Sequence, residues 1–306
     1  MGRYILKRTG QTLIVLFCVS LFAFFLIRLA PGNPAELLLG DGATDELVAQ
    51  KEAELGLDKP LYVQYFKYMA GIFRGDLGTS THYRMPVADL IANRLPNTLK
   101  LAIITVLFGL CLCIPLGIIA GSHRGTAIDF FAMFFALLGQ SMATIWIAVL
   151  NIYIFSVVLH WLPAVGIGSI AHYILPVVTL GYPLAAETTR IGRSGMIDTL
   201  SEDFITATHA KGIRPIVVNW KYAFKNAVCP VITLVGMRLG SFLAGAIVVE
   251  SIYSWPGIGQ LLKSAVGNRD YQMVQSLLLF SAFLFAVVNL LVDIINSLID
   301  PRIVLE

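Results

Sequence analysis

Six runs in this chain are apolar enough, and long enough, to cross a lipid bilayer as helices: Thr9–Leu29, Asn97–Gly121, Phe130–Val158, Ile170–Ala186, Val231–Val249 and Val274–Ile299. About 20 mostly apolar residues in a helix reach across about 30 Å of hydrocarbon. The expected fold class is therefore an all-α integral membrane protein with six transmembrane helices. The fourth run is the least regular, interrupted by Pro176, Gly181 and Pro183. Such breaks are tolerated where neighbouring helices or a water-lined cavity satisfy the freed backbone groups. The third run is long but too short for two spans.

Composition removes the main alternatives. The chain has 306 residues, 57% of them apolar and only 13% charged, against about 25% charged in soluble proteins. A net charge of +3 with no basic-aromatic patch gives no reason to invoke nucleic acid. Arg3, Lys7 and Arg8 precede the first run, so the N-terminus is expected in the cytoplasm. The first run reads as an uncleaved anchor, because Arg28 stands where small residues should precede cleavage. The alternation then places Arg124, the basic stretch from Arg190 to Lys225, and Arg302 inside. Outside it leaves Leu159–Ser169, which has no Lys or Arg, and Ile252–Met273, which holds only Lys263 and Arg269.

The expected organisation has three parts: 1–30 with the cytoplasmic N-terminus and first span, 31–96 outside the membrane, and 97–306 as a five-span core. Pro31–Pro96 carries six basic and nine acidic residues, too polar for the bilayer. Its helical patches, Asp45–Leu55 and Leu61–Phe73, read as a small cap over the bundle mouth.

The core contains an inward loop, 187–230, with a distinctive centre. Ser201 suits an N-cap, Glu202 and Asp203 suit the positive N-terminus of a helix, and Lys211 suits its C-terminus. Gly212 can take the left-handed conformation that ends a helix. Pro215 fits the first turn of a second helix and Pro230 marks its far boundary. A short helix held at both ends across the cytoplasmic mouth of a bundle is a handle that a soluble partner can move.

Asp203-Phe-Ile-Thr-Ala-Thr-His-Ala-Lys-Gly212 and Lys221-Tyr-Ala-Phe-Lys-Asn-Ala-Val-Cys-Pro230 resemble the coupling-loop motif of binding-protein-dependent ABC importer permeases. The likeness is to the first permease subunit (B-type) of the dipeptide/oligopeptide/nickel family. Arg28-Leu-Ala-Pro-Gly-Asn-Pro34, the string Leu55 to Leu61, Glu250-Ser-Ile-Tyr-Ser-Trp-Pro-Gly-Ile-Gly259, Asn289-Leu-Leu-Val-Asp293 and Asp300-Pro-Arg302 agree with it, so it spans nearly the whole chain. Two departures stand out. Thr206-Ala207-Thr208-His209 replaces a more basic run, and Gln272 stands where the family usually has Pro. The resemblance implies docking to an ATP-binding subunit through Glu202, Asp203, Phe204, Thr206, Ala207, Thr208, His209, Ala210, Lys211 and Gly212. It also implies a second homologous permease, two ATP-binding subunits that carry ATP and Mg, an extracytoplasmic binding protein and a bacterial inner-membrane location.

No catalytic or metal-ligating residues are expected on this chain, and no cofactor. It lacks a Gly-x-x-x-x-Gly-Lys-Ser/Thr phosphate loop, so ATP hydrolysis would lie on other chains. Cys18, Cys111, Cys113 and Cys229 fall in or beside the runs and read as packing residues. His160 and His172 read as solvated loop residues. Ionisable groups inside spans are more telling, because each is costly in hydrocarbon and faces a cavity or a partner. Arg238 lies eight residues past Pro230, about 12 Å along a helix. Two roles are open, a structural pair with Asp293 or a translocation-pathway group for anionic solute. Glu187 and Arg190 read as solvated at the cytoplasmic interface. Gly236-x-x-x-Gly240, extended by Ser241 and Gly245, and Gly117-x-x-x-Gly121 allow close helix approach, either within the subunit or at the seam with a second permease.

The expected function is the permease subunit of an ATP-driven importer for di- or oligopeptides. The rivals are a nickel or metal-chelate importer permease and, in a different class, a self-contained secondary transporter. A self-contained carrier has no need of the helix-Gly-helix handle, and a membrane-bound enzyme would need a catalytic cluster that the sequence lacks.

Overall fold

The computed structural model describes residues 2–29, 39, 44–55, 58–243 and 246–299. The chain order is α1 (Gly2–Leu29), α2 (Asp45–Leu55), α3 (Leu61–Phe73), α4 (Val87–Ser122), α5 (Ala127–Ser141) and α6 (Thr144–Asn151, continued as a π-helix over Ile152–Val158). Next come α7 (Ala171–Leu200), α8 (Asp203–Ala210) and α9 (Pro215–Val217, then π-helical Val218–Ala223, then Phe224–Ala227). The chain closes with α10 (Cys229–Leu243), α11 (Ile247–Ile252), α12 (Ile258–Gly267) and α13 (Tyr271–Ile299). Among the described residues the regular structure is helical, apart from an isolated bridge between Thr79 and Pro86. The all-α expectation holds.

Three segments are long and apolar enough to cross a bilayer unaided: Arg8–Phe25, Val87–Ser122 and Tyr271–Ile295. Two bent pairs raise the number to five if each is one span: α5 with α6, bent by 102°, and α9 with α10, bent by 55°. The expected third run is therefore not straight. Met142 (φ −86°, ψ 131°) and Ala143 (φ −63°, ψ 138°) are both extended and interrupt the hydrogen-bond ladder. The expected fourth run lies in α7, which passes through Pro176 and Pro183 without ending. Its prolines, His172 and the charges from Glu187 onward dilute its hydropathy. The expected fifth run ends as a helix at Leu243 and restarts at Ile247.

Small residues set how the helices approach. The most extensive pairing joins α4 and α7. A Cβ on Gly117 would sit 3.5 Å from the Gly192 backbone, and one on Gly121 would sit 3.1 Å from the Arg193 carbonyl. Further up, Gly109 meets Leu184 and Gly181 meets Phe108. Residue numbers rise together along this contact, so α4 and α7 run parallel, and the intervening α5–α6 pair makes one net transit of the bundle. Gly236 of α10 meets Val292, and Gly240 meets Phe285 and Asn289 of an antiparallel α13. Both glycine motifs thus pack within the subunit; Gly245 lies outside the described residues.

Helices form over Asp45–Leu55 and Leu61–Phe73 as expected, but α3 lies along the flank of α1. The Tyr65 hydroxyl is 2.7 Å from the Ser20 hydroxyl, and the Tyr65 ring meets Phe24 edge-on at 5.3 Å. Ser20 is nine residues short of the end of α1, about 13 Å down the helix. Tyr62, Phe66 and Phe73 of α3 stay exposed.

Candidate coupling and pathway sites

The unit around α8 is built on one buried seam. Ile205 of α8 is buried with Val218, Ala223 and Ala227 of α9, Met196 of α7 and Ile118 of α4. Thr208, one turn after Ile205, is also buried, and its hydroxyl donates to the Phe204 carbonyl at 2.7 Å. The i, i+3 spacing of Ile205 and Thr208 therefore seats α8 on the bundle. It leaves Glu202, Asp203, Phe204, Thr206, Ala207, His209, Ala210, Lys211 and Gly212 exposed. Thr208 alone of the expected docking residues faces inward.

The local chemistry agrees with the sequence in part. Gly212 has φ +74°, the left-handed turn that joins α8 to α9, and Pro215 occupies the first turn of α9. Ser201 does not cap α8. Its hydroxyl donates to the Asp198 carbonyl at 2.6 Å and closes α7, while Glu202 takes the N-cap position without a side-chain bond. Beside α8 stand the exposed apolar residues Ile216, Val217 and Trp220, which sequence reasoning passed over. Ile216 and Trp220 follow Pro215 at spacings that place them on the first turns of α9.

Arg238 of α10 meets Glu187 of α7. Its Nε and Nη2 donate to Glu187 Oε2 at 3.0 and 2.5 Å. This corrects the expected pairing with Asp293 and the reading of Glu187 as merely solvated. Asp293 instead meets Arg8 of α1 at 3.3 Å. The cause is rotational. Val292, Asn289 and Phe285 form the line of α13 that faces Gly236 and Gly240, and Asp293 lies off that line, toward α1. Arg238 is two residues beyond Gly236, about 200° around α10 and so on its far face.

A third pair was not anticipated. Asp129, in the first turn of α5, is buried and receives Arg193 Nε at 2.5 Å, Arg193 Nη2 at 2.7 Å and the Gly125 N–H at 3.0 Å. This two-on-two fork ties the α4–α5 turn to α7, seven residues before α7 ends.

The Glu250–Gly259 motif is a closed turn against the start of the second expected run. Glu250 is fully buried. It accepts from the Thr98 hydroxyl at 2.9 Å and the Gln260 N–H at 2.9 Å, and Thr98 accepts from the Ile258 N–H. Burial pushes this carboxyl above its ordinary range, and the hydrogen bonds from Gln260 and Thr98 oppose that shift. Trp255 is fully buried and donates to the Asn97 carbonyl, while Asn97 donates back to Pro256. Gly259 has no room for a side chain, since a Cβ there would lie 2.8 Å from the Ile247 Cα. Beside it, buried Asp270 binds the Ser80 hydroxyl and the N–H groups of His82 and Met273. Gln272 donates to the Leu77 carbonyl, a bond that a proline at that position could not make.

A bundle whose long helices are apolar enough to cross a bilayer, with no strand among its described residues, has the architecture of an integral membrane protein. The chain superposes on a chain of the methionine ABC transporter MetNI in inward-facing conformations with a TM-score of 0.58. That alignment has 17% identity and covers 69% of this chain and 96% of that one, a likeness in fold. Residues 113–305 match the family described as binding-protein-dependent transport system inner membrane component, and residues 1–102 match its N-terminal counterpart. The chain belongs to this family and is a multi-pass inner-membrane permease subunit of an ABC importer. It is 39% identical over 303 residues to the glutathione transport system permease protein GsiC of Escherichia coli (strain K12), covering 99% of each chain. It is 37% identical over 311 residues to the "Probable peptide ABC transporter permease protein y4tP" of Sinorhizobium fredii (strain NBRC 101917 / NGR234), again covering 99% of each.

Proposed function

We propose that this permease imports short peptides, moving them by alternating access. The supporting observation is end-to-end similarity, at 37–39% identity, to permeases named for peptide and glutathione transport. Nickel or a metal chelate is the weaker reading. The complete machine contains a second homologous permease, an extracytoplasmic binding protein and two ATP-binding subunits that hold ATP and Mg. The exposed face of α8, with Ile216 and Trp220 beside it, is the surface an ATP-binding subunit grips. Ile205 and Thr208 carry the motion into α7 and α4. Arg238 lines the translocation pathway, whereas Asp293 serves with Arg8 to hold α1 against α13.

The N-terminus lies in the cytoplasm, residues 31–96 lie outside, and 97–306 form the core with its inward loop 187–230. Parallel packing of α4 and α7 supports this alternation, since each would run from outside to inside.

The test combines transport with topology. The reconstituted transporter is expected to take up dialanine in an ATP- and binding-protein-dependent way. In a background without the four native cysteines, Asp45→Cys is expected to react with an impermeant thiol reagent from outside and Arg214→Cys only from inside. Uptake of nickel but no peptide would replace the solute class, and labelling of both cysteines from outside would overturn the topology.

A further inference from the structure

We propose that Glu187 and Arg238 together form a recognition point for zwitterionic solutes, one oxygen for the ammonium end and one nitrogen for the carboxylate end of a short peptide. The proposal rests on the peptide-importer reading and names the groups that would serve it.

Position is the first argument. Glu187 is sixteen residues into α7, about 24 Å from its outer end, and Arg238 is about 12 Å beyond Pro230. Glu187 directly follows the apolar run Ile170–Ala186, and Arg238 falls inside the apolar run Val231–Val249. The pair is nevertheless open, with side-chain exposures of 47% for Arg238 and 19% for Glu187. Met237 and Ser241 are exposed on the same side of α10, away from the glycines that pack on α13. Charges at such depth face a water-filled cavity or a partner rather than acyl chains.

Unused valence is the second argument. Both Arg238 nitrogens converge on the single oxygen Oε2. A guanidinium carries five N–H donors and a carboxylate accepts on both oxygens. Glu187 Oε1 and Arg238 Nη1 therefore remain without a hydrogen bond among the described residues. The Asp129–Arg193 pair is the internal contrast, since its fork uses both carboxylate oxygens and its carboxylate is only 7% exposed. One pair is closed and structural; the other is open and half used.

Continuity is the third. Arg190, Ser194 and Asp198 follow Glu187 at i+3, i+7 and i+11, and all three are exposed. Those spacings trace one face of α7 from the pair down to its cytoplasmic end. A solute leaving the pair meets an unbroken polar track toward the cytoplasm. Because the pair is neutral overall, it holds a zwitterion weakly enough for release.

The test uses the complete permease–ATPase complex without its soluble binding protein, so that only the membrane site discriminates. Thermal unfolding is titrated with dialanine, N-acetyl-dialanine and dialanine amide. Wild type is expected to bind dialanine about tenfold more tightly than either capped form, the scale of one charge-assisted hydrogen bond. Arg238→Gln is expected to erase the preference for dialanine over its amide, and Glu187→Gln the preference over the N-acetyl form. The double variant Glu187→Gln/Arg238→Gln, which leaves no charge unpaired, is expected to fold and to bind all three probes alike. A double variant that keeps the wild-type preference overturns the proposal, as does equal weakening for every probe in the single variants. Dialanine uptake with the binding protein present, but no unfolding shift without it, also sinks the pair while sparing the peptide reading. Absence of dialanine uptake removes both.

Discussion

Replacing Gly212 by valine is expected to cut uptake and solute-stimulated ATP hydrolysis together, while the amount of subunit in the membrane stays unchanged. Nothing lies within 4 Å of the position a Cβ would take, so crowding is not the issue. The backbone is. At φ +74° a β-branched residue pushes its side chain against the following carbonyl, at about 1–2 kcal/mol. The turn is held by the Gly212 N–H on the His209 carbonyl and the Lys211 N–H on the Ala207 carbonyl. Relaxing the strain breaks these bonds and swings α8 relative to α9. A cost of 1–2 kcal/mol lowers the population of the correctly turned unit by a factor of about 5–30, and the stroke is lost with it. Gly212→Asn, which tolerates the left-handed region, is expected to keep most activity. Normal stimulated hydrolysis in Gly212→Val would remove α8 from the coupling route.

Neutralising Asp129 is expected to be the most destabilising single change among the charged groups. Asp129→Asn leaves the Arg193 guanidinium beside a half-matched amide, with the fork to both carboxylate oxygens gone. Breaking one side of such a pair costs about 1.5–3 kcal/mol, the scale of hydrogen bonds to a charged group, since Arg193 keeps 25% of its side chain exposed. Thermal unfolding of the purified complex should fall accordingly, and less subunit should accumulate. Asp129→Asn/Arg193→Gln should recover much of the loss, a coupling that a double-mutant cycle measures directly. Additive losses in that cycle would show that the two side chains do not support one another.

The contrast between these residues shows what a sequence can and cannot display. Gly212 and Pro215 were legible because each constrains its own backbone, whatever surrounds it. The α8 helix was legible for the same reason, within one residue of its start. Thr208 was misread because which side of a short helix seats on a bundle depends on residues elsewhere in the chain, here Met196, Val218 and Ala223. Asp129 and Arg193 are 64 residues apart, and no periodicity links them. Asp293 was a reasonable partner for Arg238 by depth, yet the glycines of α10 turn Arg238 away from α13. The bend after Ser141 carries no proline, and its only signature is the extended backbone of Met142 and Ala143. The bends within α5–α6 and α9–α10 were illegible for the same reason, since hydropathy reads a straight helix.

The openness of the Glu187–Arg238 pair also bears on the chain before it is assembled. On the proposed assembly a second permease walls off that face, so in a newly inserted copy lipid tails meet an exposed guanidinium and carboxylate. Insertion scales put a central charge at about 3 kcal/mol, reduced here by pairing but not abolished. An orphan copy is therefore expected to carry its own mark for surveillance by membrane proteases. Pulse-chase lifetimes should be short when the chain is synthesised alone and lengthen when its partners are co-expressed. Glu187→Gln/Arg238→Gln should lengthen the orphan's lifetime without partners, and an unchanged lifetime would show that the degradation machinery reads some other surface.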